Sequence, residues 1–192
     1  MNLFTIGYAG HTVESLIAML KSHQITALAD VRSSPFSGYA PMFNRDVLKA
    51  HLQNNGIAYV WLGLELGPRS SDPSHYDDSG QVQFDKLQES ELFFSGIQRV
   101  DSGLTHGHKI ALMCAEKDPA TCHRSILIAT YVGSKLWFET HHILSDGGLE
   151  TQTALEERLM LEHGILPDML REKPECIKLA LKEREKRVAY KK

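Results

Sequence analysis

Apolar residues along this chain fall into short continuous runs, separated by stretches in which they recur at helical spacing. LFTIGY at 3–8 is an apolar run of strand length. Thr12 is placed to cap a helix running to about Ser22, with Val13, Leu16, Ile17 and Leu20 on one face. TALADV at 26–31 predicts a second strand, and the turn-rich loop SSPFSGYAP follows it. Asn44 is placed to cap a helix through about Asn54 that Gly56 would end. IAYVWL at 57–62 predicts a third strand. Residues 63–82 are polar and rich in Gly, Pro, Ser and Asp, so they predict a long surface loop, a kind of segment that often carries function. A helix over 83–102 would turn Leu87, Phe94, Ile97 and Val100 to the core. HKIALMC at 108–114 predicts a fourth strand, then a helix over 123–135 and a strand over 139–144. SDGGLETQ at 145–152 breaks the pattern, and helices over 153–163 and from Pro174 complete the chain.

Strand–helix alternation with short apolar strands predicts an α/β fold. The expected architecture has three layers: a mostly parallel, Rossmann-like sheet, helices on both faces, and a helical C-terminal extension. We read residues 1–192 as one domain, with an α/β core at 1–145 and the extension at 146–192.

Composition narrows the class. The chain is 42% hydrophobic and 23% charged, ordinary values for a globular protein. No apolar run approaches the ~20 residues that span a bilayer. MNLFTIGYAG lacks the pattern of a secretory signal. The expectation is a cytoplasmic protein with no membrane partner. Three cysteines are an odd count, two of them close neighbours, which argues against a disulfide framework and suits a reducing compartment. The net charge of -3 supplies no global basic field for nucleic acid. From Lys178 to Lys192, however, seven Lys or Arg face two Glu, a local +5. That segment reads as a solvated helix face or as a modest nucleic-acid contact.

Ligands of open parallel sheets bind at the carboxyl ends of the strands. On the predicted strands those ends carry Gly7, Tyr8, Gly10 and His11, then Asp30 and Arg32, then Gly63, Glu65 and Gly67, and finally Cys114 and Glu116. Cys122, His123 and Arg124 open the next helix. The glycines of TIGYAGHT suit either backbone contact with an anion or a tight strand-to-helix turn. Asp30 and Arg32 suit either an ion pair or a bidentate anion grip by Arg32. Cys114 is compatible with a buried structural thiol or a nucleophile whose thiolate is favoured by a helix N-terminus and Arg124. Ten positions separate Cys114 from Arg124, so a tight phosphate-wrapping loop is not matched. Adjacent Cys122 and His123 match metal spacing poorly and no CxxC is present, so no residue is assigned as a metal ligand. His141 and His142 lie near the last predicted strand, while His106 and His108 flank a turn and are expected at the surface.

TIGYAG, DVRSSP, FNRDVLKAHLQNNGIAYVWL, GLELG, ALMCAEKDPATCHR and the tail EREKRVAY together resemble the DUF488 family of uncharacterised proteins. The resemblance runs over nearly the whole chain, and MCAEKDPATCHR is its most specific segment. It implies a fold and a residue set but no reaction. The residues it implies are Gly7, Tyr8, Gly10, Asp30, Arg32, Pro35, Glu65, Cys114, Glu116, Cys122, His123 and Arg124. The long loop at 67–82 departs from the shortest members.

The leading expectation is therefore an enzyme with one pocket at the carboxyl edge of the sheet. Arg32 and Arg124, aided by Gly7–His11, would hold an anionic, phosphate-bearing or nucleotide-like ligand. Glu65, Glu116 or His123 would do acid/base work, and Cys114 or Cys122 would be the nucleophile of any covalent step. The alternatives are a non-catalytic nucleotide- or nucleic-acid-binding module, and a thiol-redox or metal protein built on Cys114 and Cys122. No cofactor is assigned.

Overall fold

The computed structural model describes residues 2–136 and 138–192. Six strands form one sheet: β1 (Asn2–Gly7), β2 (Ala27–Asp30), β3 (Ala58–Trp61), β4 (Ile110–Cys114), β5 (Glu139–Ile143) and β6 (Leu149–Thr151). Their spatial order is β3-β2-β4-β1-β5-β6. All pairs are parallel except β5 with β6, which is antiparallel. The α/β expectation and the five predicted strands are therefore present. The sixth is additional: Gly147, with φ +87, turns the chain so that Leu149–Thr151 pairs back along β5. Three residues of mixed polarity carry no period that sequence reading can detect.

Helices α1 (Val13–Ser22) and α2 (Arg45–Asn54) cover one face. Leu16, Ile17, Leu20, Leu48 and Leu52 pack there on Phe4, Ile6, Leu28, Ala111 and Met113. The other face carries α3 (Phe84–Gln88), α4 (Glu91–Thr105), α5 (Thr130–Leu136), α6 (Gln152–His163) and α7 (Lys173–Val188). Leu3, Ala29, Val31, Leu112 and Cys114 point to that second core. Successive strand residues alternate between the two faces, which is why buried runs read as continuous apolar stretches. The sheet and its two helical layers make the three-layer arrangement. The C-terminal helices bury Leu155, Leu159, Cys176 and Ala180 in the same core as the sheet.

Two local expectations are corrected. The helix over 83–102 is two helices, because the Ser90 side chain accepts the Phe93 N–H and caps α4. The restart rotates the helix face, so Phe93 is buried and Phe94 is 51% exposed. Asn44 does stand at the N-cap of α2, but its side chain accepts the Ser37 N–H at 2.7 Å and does not cap the helix. It ties down the loop after β2 instead.

Right-handed crossovers place α1 and α5 on opposite faces, because β1 connects toward β2 and β4 connects toward β5 in the other direction. The adjacent strands β4 and β1 thus send their following loops to opposite faces. A crevice opens between such strands at the carboxyl edge of an open sheet.

Candidate functional site

At that switch point Gly7 pairs with Cys114. The pairing continues past the strands: Tyr8 N–H donates to the Cys114 carbonyl at 3.1 Å and Ala9 N–H to the Ala115 carbonyl at 2.9 Å. A Cβ on residue 7 would sit 1.8 Å from the Glu116 carbonyl oxygen. Glycine is what lets the two segments run this close.

The chain after Cys114 is tied from several directions. The Asp118 carboxylate accepts the Ala120 N–H at 2.9 Å and is held by Arg158 of α6 at 2.9 Å. The Ser125 hydroxyl donates to the Cys122 carbonyl at 3.0 Å and also to that of Pro119. Arg124, fully buried, donates from Nη1 to the Glu116 carbonyl at 2.7 Å and from Nη2 to the Lys117 carbonyl at 3.3 Å. Its Nε donates to the Thr5 hydroxyl at 3.2 Å. Residues Arg124–Ala129 are wound as a π-helix ahead of α5, a wide turn often found at functional sites.

This bracing converges four side chains. Cys114 Sγ and Cys122 Sγ each lie 2.9 Å from Glu116 Oε2. His123 Nδ1 lies 3.6 Å from Cys114 Sγ and 3.8 Å from Cys122 Sγ. His123 Nε2 sits 3.0 Å from the Val31 carbonyl. A carbonyl only accepts, so Nε2 carries a proton and donates it, and Nδ1 is left facing both sulfurs. Adjacent Cys122 and His123 can face one point because the backbone changes regime between them. Cys122 is extended (φ -133, ψ 143) and His123 is helical (φ -61, ψ -24).

Cys114, Cys122 and His123 are at most 4% exposed, whereas Glu116 is open to solvent. All three cysteines of the chain are free thiols. Hydrogen bonding to Cys122 and burial push the Cys114 thiol up. Burial opposes ionisation of Cys122 as well, but the hydrogen bond from Cys114 and the charges of Arg124 and His123 hold it well down. Burial would lower His123, yet the Cys122 charge raises it. Burial and the Cys122 charge also raise Glu116. Of the two thiols, Cys122 is thus the one favoured toward ionisation and Cys114 the one held protonated.

The other predicted site residues have different surroundings. Arg32 donates from Nε and Nη2 to the Asp30 carboxylate at 2.8 and 2.6 Å, and from Nη2 to the Phe43 carbonyl at 2.9 Å. It is 6% exposed and lies over the Tyr8 ring, which stacks on Phe43. Of the two readings of Asp30 and Arg32, the ion pair is present. The Pro35 carbonyl accepts the Arg45 N–H at the start of α2. Glu65 is paired with Arg99 of α4 and is not one of the four clustered groups. Gly10 takes φ +88 in the turn before α1. His11 is partly exposed there, its pKa lowered by burial and by the nearby Lys117 charge. In the basic tail, Lys182, Arg184 and Lys186 each pair with a carboxylate. His106 and His108 are exposed as expected.

Sequence reasoning missed four participants. The Val31 carbonyl orients His123, and backbone acceptors carry no residue signature. Lys117 carries no signal beyond that of a loop charge. Thr5 and Gln152 hold His142 in a buried chain: Arg124 Nε–H to Thr5 Oγ1, Thr5 to His142 Nδ1 at 2.9 Å, His142 Nε2–H to Gln152 Oε1 at 2.9 Å, and Gln152 to Glu156 at 2.9 Å. Polar Thr5 inside an apolar strand was the available signal.

Among the described residues no helix is long and apolar enough to cross a membrane. No curated protein and no solved structure matches the chain. One family model does match, over residues 12–131. That span holds DVRSSP, GLELG and the whole Cys114–Arg124 segment, and leaves TIGYAG and the tail outside. On this match the chain belongs to the family described as Domain of unknown function DUF488.

Proposed function

We propose that this chain is an enzyme whose reacting centre is the Cys114, Glu116, Cys122 and His123 cluster, acting on a small anionic molecule. One observation carries the reading: two thiols and an imidazole converge behind one exposed carboxylate at the topological switch point of the sheet. Glu116 is the member that meets the substrate, while the three buried groups stand behind it. Arg32 and Arg124 are enclosed and bonded to protein acceptors, so they shape the edge. Lys117 and His11, beside the mouth, are the groups that would meet the anion. The positive field of buried Arg124 acts in the same direction.

The test is turnover. Nucleoside phosphates, phosphomonoesters and small carboxylates are incubated with the full chain and followed by proton and phosphorus NMR. Consumption of one class, reduced by about 100-fold or more in Glu116→Gln, is the expected result. Binding without consumption would replace this reading with a non-catalytic binding module. Turnover indifferent to Glu116→Gln and Cys122→Ser would place the chemistry elsewhere.

A further inference from the structure

The four clustered groups have a feature that thiol chemistry alone leaves unexplained. Cys114, Cys122 and His123 are shut away from solvent, so no organic substrate reaches either sulfur without displacing the loop. A bare cation needs no cavity. In a tetrahedral zinc site, metal–sulfur bonds of ~2.3 Å and metal–nitrogen bonds of ~2.05 Å set the sulfur–nitrogen separation at about 3.6 Å. The Cys114–His123 and Cys122–His123 separations are 3.6 and 3.8 Å, and all four donor atoms lie within 4.8 Å of one another. The remaining ring nitrogen of His123 donates to the Val31 carbonyl, the anchor that ligating imidazoles characteristically use.

Charge makes a second, independent argument. Arg124 is fully buried, and its acceptors among the described residues are one hydroxyl and two carbonyls. A buried guanidinium without a counter-ion is costly. Two thiolates and one carboxylate around a divalent ion carry a net single negative charge, which balances Arg124.

We infer that Cys114, Cys122 and His123 form the fixed part of a site for a zinc-class divalent cation, with Glu116 as its exchangeable fourth ligand. The assignment of Glu116 follows from distance. Its Oε2 lies 2.9 Å from each sulfur, closer than the ~3.5 Å that tetrahedral bonds of these lengths require. The carboxylate must therefore retreat when the ion enters, and as the solvent-facing member it has room to do so. Three protein ligands with a fourth position that water or substrate can take are the arrangement of catalytic zinc, whereas structural sites are closed. Two thiolates and an imidazole select zinc, cobalt or ferrous iron over magnesium or calcium. The ion deepens the proposed function by naming what the buried groups hold, and to that extent it rests on that reading.

The experiment uses the full chain, chelator-stripped under reductant, with three free thiols verified by titration. Co²⁺ is added and absorbance recorded. One Co²⁺ per chain, with intense thiolate-to-metal absorption and the visible bands of a tetrahedral site, is expected, and Zn²⁺ should abolish both. Cys122→Ser and His123→Gln should lose more affinity than the about 10–100-fold typical of second-layer partners. Glu116→Gln should keep the ion, with altered visible bands. Cys176→Ser, changed at the third thiol on α7, should behave as wild type and controls for folding. No thiolate absorption in protein with three reduced thiols overturns the inference, as does unchanged affinity in Cys122→Ser. Metal binding without turnover of any substrate would leave the site standing and remove the enzyme reading. Turnover by chelator-stripped protein that Cys122→Ser abolishes would do the reverse.

Discussion

Lowering the pH should destabilise this protein through His142 before most carboxylates titrate. His142 of β5 is fully buried, and burial, opposed by Gln152 and reinforced by the Arg124 charge, lowers its pKa from 6.5 to about 4. The hydrogen bonds explain why the native ring is neutral. Arg124 donates to the Thr5 oxygen, so the Thr5 hydroxyl donates to Nδ1, and Nε2–H donates to Gln152. A proton on Nδ1 would face that hydroxyl and add a charge near Arg124. The unfolded chain takes up the proton near pH 6.5 and the folded chain resists it to about 4. The stabilisation is thus complete above about pH 6.5 and is lost as pH falls toward 4. The full gap is about 3 kcal/mol, of which about 2 kcal/mol is gone between pH 7 and pH 5. Urea denaturation of wild type and His142→Asn at both pH values isolates this contribution, since other titrating groups are common to the two proteins. The variant should be less stable at pH 7 but lose about 2 kcal/mol less on acidification. Equal losses, or an NMR titration of the folded His142 ring near 6.5, would refute the reasoning.

Three further outcomes are expected. Gly7→Ala should cost about 3 kcal/mol or more in a urea melt, because its Cβ would overlap the Glu116 carbonyl in a braced loop; wild-type stability would show that the two segments can separate freely. Arg124→Met should cost at least about 3 kcal/mol, since Thr5 and the Glu116 and Lys117 carbonyls lose their donor, and a smaller loss by calorimetry would mean that water replaces the guanidinium. Ending the chain at Val188 removes the Tyr190 carbonyl that Val82 N–H donates to, the Lys192–Gly80 bond, and the Arg69 and Lys192 contacts with the Tyr190 and Tyr76 rings. Amide exchange at Val82 should then rise by tenfold or more, equivalent to about 1.4 kcal/mol of lost protection; unchanged protection would show that the 63–82 loop holds itself.

Local sequence determined much of this molecule. The apolar runs at 3–8, 26–31, 57–62 and 108–114 became strands, because a strand buried on both faces needs apolar side chains at most positions. Thr12 caps α1 and Gly56 takes φ +74 after α2, as their chemistry dictates. The edge where Gly7, Asp30, Cys114 and Glu116 collect was also legible, since it follows from strand ends alone. What each of those residues does was not. Asp30 and Arg32 close on each other, and Glu65 turns to Arg99, because partners distant in sequence decide which donors stay free. Adjacent Cys122 and His123 look unable to face one point until the backbone turns from extended to helical between them and the loop folds back on Arg124 and Ser125. The Val31 carbonyl, 92 positions from His123, then selects the nitrogen that faces the sulfurs. Pattern and capping act within a few residues and are written in the chain. Convergence of side chains, burial and the charge each one carries depend on strand order and packing, and only the tertiary structure supplies those.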